Sequence, residues 1–237
     1  MKKVVFLLGT LISTVSLIAG NTMELKLASP DGAHQVVFGQ KQVAPQVNEV
    51  YYSVSYKGQP VIEESRAGLD LDNRVWELAL ARHIEQTECW MDNMEADSVV
   101  CHASVDSVRH LFYGERNAVR DAYNSATMYL SKKDGSNYRL NIEVRAYNEG
   151  IAFRYFFPEH PQAIFHKVVA DLTEYSFPAG TMAWTEQWAQ APFERLSIND
   201  IKHPVERALT VELPNGLWVA LTDADVDDWC LTKFVAS

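Results

Sequence analysis

Apolar and polar residues alternate with a period of two along most of the chain. Val50, Tyr52, Val54 and Tyr56 alternate with Tyr51, Ser53 and Ser55, and Lys57-Gly58-Gln59-Pro60 closes the run. Successive side chains on opposite faces mark a half-buried β-strand. The clearest strand sets Tyr138, Leu140, Ile142, Val144 and Ala146 against Arg139, Asn141, Glu143, Arg145 and Tyr147. Asn148-Glu149-Gly150 then turns the chain into 151–156, which Pro158 ends. Two strands joined so tightly predict a β-hairpin, with Gly150 where positive φ is wanted. Further strands are predicted at 24–27, 35–38, 68–71, 126–131, 163–169, 207–213 and 217–222. Turn sequences such as Ser29-Pro30-Asp31-Gly32 and Pro214-Asn215-Gly216 separate them. Only 76–82 and 116–123 have a pattern that could hold a helical turn or two. Many strands without intervening amphipathic helices predict an all-β domain, a large antiparallel β-sandwich.

The first twenty residues read as an address instead of as part of the fold. Lys2 and Lys3 give a positive start, 4–19 is uncharged and mostly apolar, and small Ala19 and Gly20 precede polar Asn21 and Thr22. This is the layout of a secretory signal peptide, leaving 21–237 as one domain. A retained signal anchor is the alternative, but the run falls short of the roughly twenty residues a spanning helix needs. It also contains Thr10, Ser13, Thr14 and Ser16. No Cys follows the small residues to take a lipid anchor, and no later stretch is apolar enough to span. The expectation is an exported, periplasmic protein without a membrane span after cleavage.

Composition narrows the partners. With 47% hydrophobic residues the chain can bury a core without a disulfide scaffold. A formal charge of −10, more negative still without Lys2 and Lys3, leaves no electrostatic footprint for nucleic acid or anionic lipid. Cys89, Cys101 and Cys230 leave at least one thiol unpaired. Cys89 and Cys101 are near enough in sequence to bridge; otherwise all three serve as small buried hydrophobes.

No strong catalytic motif is present. The chain lacks a Gly-x-Ser-x-Gly elbow, a His-Glu-x-x-His pair and a phosphate-binding Gly loop. Asp223, Asp225, Asp227 and Asp228 have a superficial calcium-loop spacing. An EF-hand needs Gly where Asp228 stands and Glu where Phe234 stands, so a solvated acidic strand end is the better reading. The seven histidines are scattered without metal-ligand spacing. Six tryptophans invite a sugar reading, because pyranose rings stack on aromatic faces, and Trp184 and Trp188 flank Glu186. The plainer expectation is that they fill the core. Glu194, in Ala191-Pro192-Phe193-Glu194-Arg195, is by default a surface carboxylate paired with Arg195.

Several stretches resemble the N-terminal domain of glycoside hydrolase family 97. They are Leu27-Ala28-Ser29-Pro30-Asp31-Gly32, then Tyr52-Ser53-Val54-Ser55-Tyr56-Lys57-Gly58-Gln59-Pro60-Val61-Ile62, with Ser65 and Gly68-Leu69-Asp70-Leu71. Tyr113-Gly114-Glu115-Arg116, Arg120-Asp121 and Tyr123-Asn124 follow, and last comes the run from Arg145 through Tyr155. Order and spacing agree over about 25 to 225, with a poor match at 76–106. The resemblance implies a galactose-mutarotase-like, carbohydrate-binding-type sandwich packed against a (β/α)8 barrel that carries the catalytic residues. Ser237 falls before any such barrel, and whether the last sandwich strands lie beyond it is left open. Family enzymes act on α-glucosides or α-galactosides and use calcium in the site, so the implied ligand of the full-length enzyme is an α-linked oligosaccharide. By the same analogy Glu194 is one calcium ligand, and only a partial one, because the ion takes six to eight oxygens. Where the family has Thr-Glu-Ala this chain has Thr222-Asp223-Ala224, and Asp223 receives no role. Arg120, Asp121, Tyr123, Asn124, Arg145 and Arg154 recur in the family pattern. A buried Arg–Asp pair and contacts that fix the sheet are expected of them ahead of substrate contacts.

The leading expectation is therefore a sandwich with no catalytic residue of its own, inactive without its barrel. A free-standing periplasmic glycan-binding protein is the alternative. A sugar mutarotase or epimerase is a weaker third, needing His102, His110 or His166 to converge with Glu115 or Glu143 as acid and base.

Overall fold

The structure, a computed structural model, describes residues 23–45, 47–71, 89–160, 166–224, 226, 229 and 231–236. The expected signal peptide, the helical turn expected at 76–82, Cys230 and the acidic residues Asp225, Asp227 and Asp228 lie outside the described residues.

Strands form where alternation gives each one a face to bury. β1 (Leu25–Ala28), β2 (His34–Ala44), β3 (Val47–Tyr56) and β4 (Gln59–Ala67) make a four-stranded antiparallel sheet in chain order. Lys57 and Gly58 form the two-residue turn between β3 and β4, with φ of 49° and 76°. Two left-handed residues match the right-handed twist of the flanking strands, and glycine takes that conformation without strain.

A second sheet runs β10-β9-β8-β6, built from β6 (Met94–Cys101), β8 (Ala118–Lys132), β9 (Arg139–Tyr147) and β10 (Gly150–Phe156), with β7 (Val105–His110) also on β8. The strand expected at 126–131 is the second half of β8, where it pairs with β6. The helical turn expected at 116–123 is instead the first half of β8, paired with β7. Pairing along this stretch overrides a weak local pattern. Gly150 pairs with Tyr147 across the β9–β10 turn, and its φ lies outside the left-handed region, contrary to expectation.

These two sheets pack face to face. Leu25, Val36, Phe38, Val50 and Tyr52 from the first meet Met128, Leu130, Leu140, Ile142 and Val144 from the second. Phe38 stacks on Tyr52 at 5.3 Å between ring centroids, and Phe153 of β10 meets Phe38 edge-on at 5.3 Å. Burying each such side chain contributes about 1.5–3 kcal/mol. The Tyr52 hydroxyl donates to the Glu174 carbonyl at 2.6 Å, so the one polar atom in this aromatic group is satisfied.

β5 (Leu69–Leu71) pairs with β11 (Val168–Asp171) beside the sandwich. A last sheet, ordered β13-β12-β14-β15, contains β12 (Met182–Thr185), β13 (Glu194–Ser197), β14 (Leu209–Glu212) and β15 (Trp218–Leu221). The turn Ile198–Asp200 is a 3-10 helix; the described residues contain no α-helix and no helix long and apolar enough to cross a membrane. The architecture is all-β and antiparallel, as the alternation predicted.

Cys89 is half-buried and Cys101 exposed, both as free thiols, so neither the bridge nor a buried Cys101 is found. Cys89 packs on the glycine between β4 and β5: a Cβ at Gly68 would stand 2.8 Å from its sulfur.

Candidate functional site

β12 ends at Thr185, a loop runs out and returns, and β13 begins at Glu194, directly opposite Thr185. Opposed residues of an antiparallel pair point to the same face. Thr185 is buried on the inner face, where its hydroxyl donates to the Glu194 carbonyl at 3.4 Å. Glu194 shares that face but sits at its rim, so its carboxylate is open to solvent. Thr185, Gln187, Glu194, Asp200, Lys202 and His203 are among the residues around a shallow cleft of about 310 Å³. Glu194 also borders a second hollow of about 180 Å³, with Glu186, Trp188 and Pro192. Next to the cleft's Gln187, Lys233 donates to the Gln187 carbonyl at 3.2 Å and pairs with Glu206 at 2.7 Å. Backbone bonds of 2.8 and 3.0 Å tie Val205 to Phe234 beside it.

Several sequence expectations change here. Glu194 does not pair with Arg195, which points to the opposite face and binds Glu212 at 2.9 Å. Trp184 and Trp188 do not fill the core: they are 37% and 56% exposed, and Phe193 is 64% exposed. Among the described residues, Trp90 does sit in the core and Trp229 packs against it. Asp223 accepts the Thr232 hydroxyl at 2.6 Å and pairs with Arg207 at 3.2 Å, which anchors the last segment to the fold. The expected buried Arg–Asp pair becomes exposed cross-strand pairs, Arg120 with Asp106 and Arg109 with Asp121. Asn124, by contrast, fixes the sheets as expected, donating to the Ala28 carbonyl at 2.8 Å. Arg145 lies over the Tyr123 ring at 4.6 Å.

Three of the residues considered for an acid–base pair are otherwise engaged. His102 Nε2 shares a hydrogen bond with the Thr127 hydroxyl at 2.8 Å, and Glu143 accepts from Arg154 at 2.7 Å. His166 stacks on Phe157 at 4.5 Å, and burial pushes its imidazole below the ordinary histidine value. No hydrogen bond among the described residues joins His102, His110 or His166 to Glu115 or Glu143.

Nothing in residue spacing singled out Asp200, Lys202, His203 or Gln187 around Glu194. Gln187 comes from the loop after β12, and Asp200, Lys202 and His203 come from the 3-10 turn and the residues after it. Among the described residues no three His, Cys, Asp or Glu side chains gather to hold a metal. The oxygens at the cleft, from Glu194 and Asp200 with Lys202 nearby, are too few for a complete calcium sphere. They fit a site in which this chain fills a minority of the positions.

Residues 27–237 match the family model for the N-terminal domain of glycosyl hydrolase family 97. The chain belongs to glycoside hydrolase family 97. It is 26% identical over 247 residues to a retaining α-galactosidase of Bacteroides thetaiotaomicron, an alignment covering 97% of this chain and 32% of that protein. Its fold matches a family 97 enzyme from a Pseudoalteromonas species, solved with panose and with acarbose, at a TM-score of 0.73 and 20% identity. That match covers 88% of this chain and 30% of the enzyme. A β-arabinopyranosidase matches at a TM-score of 0.64 and 17% identity, over 83% of this chain and 31% of that one. The family 97 chain thus spans about a third of the length of the relatives it matches. The quoted motifs fall on its structural elements: Tyr52 to Ile62 makes the β3–β4 hairpin, and Arg145 to Tyr155 makes the β9–β10 hairpin.

Proposed function

We propose that this chain is the non-catalytic, carbohydrate-binding-type N-terminal sandwich of an exported family 97 hydrolase of α-glucosides or α-galactosides. Glu194 supplies one calcium oxygen, and the cleft around it helps shape the sugar pocket. The other calcium ligands and the catalytic carboxylates belong to a (β/α)8 barrel of the longer enzyme. The observation that carries this reading is the position of Glu194, a carboxylate without an ion pair among the described residues, held at the rim of an open cleft by its strand pairing with buried Thr185. Lys233 donates to the Gln187 carbonyl and Phe234 pairs with Val205, so the last described segment lies against two residues of the cleft's lining. The α-galactosidase relative and the panose and acarbose complexes support an α-linked sugar. Export to the periplasm belongs to the same proposal and rests on Lys2, Lys3 and the apolar run that follows.

Two measurements test it. The purified chain should release no 4-nitrophenol from 4-nitrophenyl α-glucoside or α-galactoside, and turnover would overturn the non-catalytic role. In the sandwich joined to its barrel, Glu194→Gln should weaken calcium binding by about tenfold or more. Unchanged calcium affinity would remove Glu194 from the site.

A further inference from the structure

The sheet that presents Glu194 on its inner face carries an exposed aromatic pair on its outer face. Trp184 lies opposite Arg195 on one side and Thr210 on the other, and Trp218 lies opposite Glu212. Opposed residues share a face, so Trp184, Arg195, Thr210, Glu212 and Trp218 form one patch. Behind it Ala183 and Val211 are fully buried, so the sheet is a wall with core on one side and this patch on the other. Trp184 is 37% exposed and Trp218 59% exposed, unusual for side chains that bury well.

Polar groups stand between the two rings. Arg195 Nε and Nη2 both donate to Glu212 Oε2, at 3.0 and 2.9 Å. Because both bonds fall on one oxygen, Arg195 Nη1 and Glu212 Oε1 remain as a donor and an acceptor for an outside partner. The pair is neutral as a unit, and the chain as a whole carries a charge of −10, which disfavours an anionic ligand.

The pairing register also fixes the spacing. The tryptophans are two strands apart and offset by two residues, which puts their Cα atoms about 12 Å apart. At their exposures the two side chains present together roughly 200–250 Å². That is well short of the ~800 Å² per partner that a stable protein interface buries. A narrow ligand with flat apolar faces and hydroxyl edges suits the patch better than another protein does.

We propose that this outer face is a carbohydrate-binding site for a neutral oligosaccharide laid across the sheet, separate from the Glu194 cleft. Trp184 and Trp218 stack on two non-adjacent pyranose rings, and Arg195 and Glu212 bind hydroxyls between them. A single sugar reaches only one ring. The site therefore prefers chains over monosaccharides, since the second contact is made at high effective concentration.

The test is calorimetric titration of the purified chain with maltoheptaose and with galactomannan oligosaccharides, for the wild type, Trp184→Ala, Trp218→Ala, Trp218→Phe, the double Ala variant and Glu194→Gln. Saturable binding to one of these glycans is expected. It should fall about tenfold with each single Ala change, be lost in the double variant, persist in part in Trp218→Phe and be unaffected by Glu194→Gln. Absence of binding to both glycans, or binding that survives the double variant, would overturn the proposal. So would a melting curve showing that the double variant had unfolded while Trp218→Phe, still folded, bound no more weakly than the wild type. Loss of binding with Glu194→Gln alone would move the sugar to the cleft and refute the outer-face site without touching the calcium reading.

Discussion

The two-sheet sandwich and the four-stranded sheet β13-β12-β14-β15 obey the same alternation and use it differently. In the sandwich, Phe38, Tyr52, Met128 and Ile142 are fully buried, and the opposite faces of their strands carry charged and polar residues such as Arg139, Glu143 and Arg145. In the smaller sheet Ala183 and Val211 are just as buried, yet the opposite face shows Trp184 and Trp218 to solvent. Alternation establishes that a strand has two faces. What the outward residues are indicates what the outward face meets. The sandwich is organised around its interior, the smaller sheet around both of its surfaces.

That contrast predicts where substitutions hurt. Phe38→Ala should have the largest effect, destabilising the fold by about 3–5 kcal/mol, because it removes the ring that stacks on Tyr52 and meets Phe153 from the other sheet. Urea unfolding measures it. A loss below about 1 kcal/mol would mean that the two sheets do not share one core.

The seam between β4 and β5 should come next. A methyl group at Gly68 would stand 2.8 Å from the Cys89 sulfur and 3.4 Å from the Leu172 Cβ, so Gly68→Ala overpacks a tight contact. The expected loss is about 1–3 kcal/mol. Adding Cys89→Ala removes the nearest atom, and the double variant should recover part of the loss. Additive effects in the double-mutant cycle would show that the sulfur is not what the methyl meets.

The same contrast governs what could be read from the sequence. β3, β9 and β10 were legible because one face of each strand is buried and the other wet. β6 and β7 were not. β7 has nearly every residue exposed, so no alternation marks it, and it exists only because β8 offers a partner edge. That missing pattern also let the first half of β8 pass for a helical turn. Glu194 came from the family resemblance alone; its own neighbourhood suggested an ion pair with Arg195, and a one-residue step along a strand put Arg195 on the other face. For the tryptophans, size alone favours burial, and periodicity cannot tell which face a further layer covers.

A smaller effect sits where the two regions meet. Asp171 on β11 is open to solvent on one side, yet the hydration lost against the fold pushes it above the ordinary carboxylate value of 3.8, although Thr173 N donates to it at 3.0 Å and acts the other way. Its folded form holds the proton more tightly than the unfolded chain does. It therefore subtracts stability as pH rises from 3.8 through the raised folded value, and subtracts a constant amount above that. Asp171→Asn keeps the acceptor for Thr173 and removes the charge, so it should raise the melting temperature at pH 7. The gain should vanish below pH 3.8, where both forms are neutral in either state. A variant less stable than the wild type at pH 7 would show that contacts to the carboxylate outweigh its lost hydration.

The smallest expected effect is the most telling. Trp218 is 59% exposed and packs on the outer face of a sheet whose core lies behind it, so Trp218→Ala should change stability by no more than about 0.5 kcal/mol. Phe38→Ala, which removes a smaller ring, should cost several times more. If the two were equal, Trp218 would be part of the fold's own packing and the outer face would lose its claim to a ligand. If Trp218→Ala is silent in urea unfolding, the tryptophan adds nothing to folding. An exposed ring that folding does not need, opposite Glu212 and two strands from Trp184, is then explained by what it binds.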